Sequence, residues 1–147
     1  MLIHKYLFFA LLLNGFSAQT ISAETLEDFQ GIYKCSSVTI SKPVASSIGK
    51  FYPNLKISVL LLSKNTASFE WTAGEKNYKA KITDFKIMDE HNIVYEKVTK
   101  VKKEIAPLGH LVEAVRFSLK GKRRHLILKI NRPKWWLAAT KCKNVIK

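Results

Sequence analysis

The chain has 147 residues, enough for one domain with a real core and too few for two ordinary ones. Apolar residues make up 47% and charged residues 24%, which excludes a disordered chain, a collagen, a coiled coil, a multipass membrane protein and a disulfide-dense miniprotein. Lys and Arg number 25 against 11 Asp and Glu, a formal net charge of +14, so the favoured partners are anionic.

The chain opens MLIHKYLFFALLLNGFSAQTISAETL, with Lys5 ahead of an apolar run from Tyr6 to Leu13 that Asn14-Gly15 breaks. A run this short cannot cross a bilayer as a helix, which needs about 20 residues. A short apolar stretch followed by a small residue at a cut site is the pattern of a secretory signal peptide. Residues 1–23 are read as that peptide, with cleavage after Ala23, and residues 24–147 as a single exported domain, periplasmic or secreted. No Cys ends the apolar run, so no lipid anchor is expected, and no transmembrane segment is expected in the mature chain. Export gives the two cysteines, Cys35 and Cys142, their meaning: in an oxidising compartment an even pair reads as a disulfide.

Thr25-Leu26-Glu27-Asp28 has the form of a capping box opening a short helical turn. Beyond it a period of two dominates. The first strand is expected over Ile32–Ser41, followed by a loop, Lys42–Pro53, rich in Pro, Ser and Gly. Leu55–Leu62 places Leu55, Ile57, Val59 and Leu61 on one face, and Thr66–Thr72 turns Ala67, Phe69 and Trp71 inward. Ala73–Asn77 is a turn around Gly74, after which Tyr78, Ala80 and Ile82 alternate with polar residues. Phe85–Met88 continues the pattern and Asp89–Asn92 turns it. Ile93–Val101 and Leu111–Leu119 are strands separated by a loop, Lys102–His110. Gly121 marks a hairpin, Leu126, Leu128 and Ile130 point inward, and Lys134–Cys142 follows Pro133 as the last strand. The fold class is therefore all-β, sandwich or barrel: an antiparallel meander of eight or nine strands, with a closed or nearly closed barrel favoured because closure would remove exposed edges. A bridge between first and last strands suits that closure.

Gly31-Ile32-Tyr33, just after a helical turn, resembles the opening of a lipocalin-type (calycin) barrel, where a Gly-x-Trp stands on the first strand; here Tyr33 takes the place of Trp. Tyr33-Lys34-Cys35 with a terminal Cys142 is also similar to small bacterial periplasmic inhibitors of C-type lysozyme. Both resemblances imply a non-catalytic binding barrel, and neither carries a functional residue over.

Charge is segregated along the chain. From Glu24 to Glu96 nine Lys balance nine acids, whereas from Lys97 to Lys147 there are 15 Lys and Arg against two acids, a net of +13. KGKRRH, Lys120 to His125, crosses a hairpin tip and crowds Lys120, Lys122, Arg123 and Arg124; Arg132 and Lys134 form a further group. Such clusters mark heparin-, nucleic-acid- or anionic-lipid-binding surfaces. The plainer reading, turn lysines that keep an exported protein soluble, explains high charge but not its segregation. These six residues are the expected anion-binding set. Successive strand residues face opposite ways, so of Trp135 and Trp136 one lies inside. Phase with Leu137 and Ala139 places Trp135 inward and leaves Trp136 either as a ring for stacking on a ligand or packed near the bridge.

Catalytic chemistry is not expected. His91, His110 and His125 lack metal-ligand spacing, and there is no Gly-x-Ser-x-Gly elbow, Walker loop or dinucleotide fingerprint. Asp89-Glu90-His91 sits in a turn, where neighbours rarely converge, and Glu70 with Glu75 flanks one hairpin. No cofactor or metal is expected. The sequence thus points to an exported, non-catalytic binding protein whose basic face meets lipopolysaccharide, phospholipid, a sulfated glycan or an acidic protein, nucleic acid being less favoured. The alternatives are a lipocalin-like carrier of a small apolar ligand and an inhibitor of a secreted hydrolase; cationic lysozyme itself would be repelled.

Overall fold

The computed structural model describes residues 25–41, 49–105 and 109–145, so the signal-peptide reading lies outside the described residues. A 3-10 turn, Leu26–Phe29, leads into the first strand. The Thr25 backbone N–H donates to Asp28 Oδ2 at 2.8 Å, as the sequence pattern predicts, and Leu26 and Phe29 are buried beneath the sheet. The strands are β1 (Gly31–Ser41), β2 (Lys50–Phe51), β3 (Leu55–Ser63), β4 (Thr66–Ala73), β5 (Lys76–Ile82), β6 (Lys86–Asp89), β7 (Asn92–Lys100), β8 (His110–Lys120), β9 (Arg123–Arg132) and β10 (Trp135–Asn144).

All pairings are antiparallel in one sheet of order β5-β4-β3-β1-β10-β9-β8-β7-β6, with β2 lying on β1 beside β3. Followed around the curl, this is a meander interrupted between β5 and β6: the other successive strands pair, β2 and β3 both on β1, and β10 returns to pair with β1. The junction is extensive, running from Tyr33↔Asn144 to Ser41↔Trp136. The sheet is a curled half-barrel whose open seam falls between β5 and β6, which carry its two free edges. The edge of β5 carries Lys76, Lys79 and Lys81, charges that discourage strand addition.

Two features depart from the sequence reading. The loop expected over Lys42–Pro53 contains β2, which pairs Thr39↔Phe51 and Ile40↔Lys50. Asn54, at φ 61°, then turns the chain into β3. The last strand begins at Trp135 rather than Lys134 and continues to Asn144.

Phe117 is the hub of the core. Its ring centroid lies 5.3 Å from Phe29, 6.3 Å from Tyr33, 6.1 Å from Phe69 and 5.8 Å from Phe85. These residues come from four strands or strand ends and the 3-10 turn, so the curl closes around a cluster of mostly tilted rings, with Phe69 stacked on Phe117. Burial pushes the Tyr33 phenol up to about 12, and its O–H donates to the Phe29 carbonyl at 2.7 Å. Cys35 and Cys142 stand directly opposite on β1 and β10 and are disulfide-bonded, as expected.

Candidate anion-binding face

The alternation that buries Leu126, Leu128 and Ile130 on β9 sends Arg123, His125 and Lys129 to the outer face. The six residues expected to bind anions do not stand together. Lys120 and Arg123 are register partners across the β8–β9 hairpin, with Gly121 at φ 61° and Lys122 in its turn. Arg124 belongs to the same tip but has the phase of the buried residues, and its charge acts on the Tyr33 phenol. Arg132 and Lys134 lie at the opposite end of β9, about 30 Å away at ~3.3 Å per residue.

Arg132 is also not a free surface cation. It shares the inward phase of Leu128 and Ile130 and forms an ion pair with Glu113, whose side chain is only 15% exposed. The Tyr95 O–H adds a hydrogen bond to Glu113 at 3.2 Å, and burial followed by the Glu113 charge raises the Tyr95 pKa. Beside this pair, Trp71, Tyr78 and Trp135 form an aromatic cluster with centroids 5.7 to 6.1 Å apart. A shallow open depression of about 360 Å³ lies here, lined by Lys76, Asn77, Tyr78, Lys79 and Trp135.

Trp135 therefore lies inward, as its phase predicts. Trp136 faces outward and is half-buried, with Gly49 against the edge of its ring, where a Cβ would stand 2.8 Å from the indole. The residue against the ring, Gly49, stands at the approach to β2.

The strand order reveals a grouping that the linear charge count hides. Lys34 on β1 is the register partner of Lys56 on β3 and of Lys143 on β10, and Lys143 is the partner of His125 on β9. Four basic side chains from four adjacent strands thus form one outward row, stepped by about 4.8 Å. Like charges directly opposite in a sheet oppose folding. Lys34 and Lys56 belong to the half of the sequence whose net charge is zero, yet they extend the basic field. Across the five neighbouring strands β3, β1, β10, β9 and β8 there are ten Lys and Arg and one acid. That acid is Glu113, turned inward and spent on Arg132.

The turn Asp89-Glu90-His91 is explained structurally. Asp89 accepts from the His91 backbone N–H at 2.8 Å and from Asn92 Nδ2, and these bonds lower its pKa. Glu90 and His91 form an exposed pair at 3.3 Å. Glu70 is paired with Lys79 at 2.6 Å. Among the described residues no group of three or more His, Cys, Asp and Glu could hold a metal ion, and no helix is long and apolar enough to cross a membrane.

No protein-family model matches this chain, and neither a curated protein nor a solved structure does.

Proposed function

We propose that the protein is an exported, non-catalytic binding protein whose basic outer face engages an anionic partner. The observation carrying this reading is the imbalance across β3, β1, β10, β9 and β8: once the inward-phased Arg124 and Arg132 are set aside, eight cations remain, and the one acid, Glu113, is paired with Arg132. Lysines opposing lysines lower stability, so a bound anion gives the row a role that folding alone does not. The disulfide supports export, because such bonds persist in oxidising compartments. A lipocalin-like carrier would need room along the axis, where Phe29, Tyr33, Phe69 and Phe117 pack, and an inhibitor with this face would suit only an acidic hydrolase.

The test is retention on an immobilised polyanion at low and high salt, comparing the native protein with a Lys120→Glu/Lys122→Glu/Arg123→Glu variant. Native retention that falls steeply with salt and is weakened in the variant supports the reading. Retention that ignores both salt and substitution refutes it. N-terminal sequencing of exported material should begin at Glu24.

A further inference from the structure

We infer that the lower rim of β3, β1 and β10 docks on an anionic lipid bilayer, with aliphatic side chains entering the interface and the lysine row meeting lipid phosphates. The inference rests on the basic-face reading and adds a partner class. Its ground is the order of outward residues along three adjacent strands. On β1, Lys34 is followed two residues toward the rim by Ile32; on β10, Lys143 is followed by Val145; on β3, Lys56 is followed by Ser58, Leu60 and Leu62. The Val145 N–H donates to the Ile32 carbonyl at 2.8 Å, which places these two side by side, and Ile32 in turn pairs with Ser58.

Leu60, Leu62 and Val145 are 49%, 47% and 49% exposed. β3 and β10 thus each carry a cation and beyond it an aliphatic residue left in water, with Ile32 on β1 half-buried between them. That layering matches a membrane surface, where phosphates lie above the acyl boundary and apolar side chains enter a few ångströms below them. It does not match the alternatives equally. A soluble glycan gives exposed leucines nothing to contact. A nucleic-acid strand calls for aromatic platforms beside the cations, but the row's flanking residues are Ser118 and Asn92, and Trp136 lies at the far end of β10 against Gly49. Charge selects anionic over neutral lipid, since each Lys near such a surface contributes roughly five-fold in affinity.

The experiment is co-sedimentation of the oxidised protein, produced in an exporting host, with vesicles of phosphatidylglycerol and phosphatidylcholine, with vesicles of phosphatidylcholine alone, and retention on heparin as a soluble-polyanion control. Lys34→Gln/Lys56→Gln should weaken binding to anionic vesicles about 25-fold at low salt, two lysines at roughly five-fold each. Leu60→Ser/Leu62→Ser should weaken vesicle binding and leave heparin retention unchanged, a control that also shows the variant is folded. If the leucine variant binds anionic vesicles like the native protein, or neutral vesicles bind as well as anionic ones, the lipid assignment is overturned while the basic-face reading stands. If the protein binds neither heparin nor anionic vesicles, both fall.

Discussion

Replacing Lys34 by Gln should make the protein more stable, because Lys34 stands between two like charges, Lys56 and Lys143, on neighbouring strands. Two ammonium groups about 6 Å apart in water repel by ~0.7 kcal/mol, so removing the central one relieves ~1 kcal/mol once side-chain splaying is allowed for. At physiological ionic strength, with a screening length of about 8 Å, roughly half of that remains. For a domain of this size ~1 kcal/mol corresponds to about 4 °C in Tm. Thermal unfolding followed by circular dichroism, at low and high NaCl, measures it. The variant should melt above the native protein at low salt, and the gap should close as salt is added. A variant that melts lower at low salt, or a gap that ignores salt, would show that the row is not a site of electrostatic strain.

Removing the disulfide with Cys35→Ala/Cys142→Ala releases a closed loop of sequence separation 107, and urea unfolding should show a loss of ~4–5 kcal/mol in the chain-entropy model. Phe117→Ala, which empties the hub of the aromatic core, should cost ~3–5 kcal/mol in the same assay. The Tyr33 pKa of about 12 lies above its ordinary value of 10, so the folded state keeps the proton longer than the unfolded chain. This contribution is fully present below pH 10 and is lost as pH rises toward 12, by ~2–3 kcal/mol. Tyr33→Phe should remove that part of the alkaline loss, which urea titrations at neutral and alkaline pH would reveal.

Much of the fold was legible because one buried face imposes a strict period of two. The series Leu126, Leu128, Ile130 alternates as the packing requires, whereas on β4 Thr66 and Ser68 are buried along with Ala67, Phe69 and Trp71; the pairing of the two cysteines followed from compartment alone. The same phase carried information left unused: Arg132 continues the inward series of β9, and Glu113 falls among Leu111, Val115 and Phe117 on β8, so their meeting inside was implied. Position along the chain misled in a different way. Lys34 and Lys56 belong to a neutral stretch of sequence, and only pairing across strands sets them beside the basic end. The bridge itself was the available signal, since two cysteines opposite each other on antiparallel strands force Lys34 against Lys143. The contact of Gly49 with Trp136 depends on a two-residue strand reached through a Pro- and Ser-rich loop, which no period in the sequence announces.

The covalent tie sits near the middle of the strand order, and both borders of the sheet are unpaired. Fraying must therefore start at β5 and β6 and travel inward as two flaps hinged on a locked spine. Amide protons beside the cysteines will be the last to exchange, and the lysine row, which crosses that spine, keeps its spacing while the flaps breathe.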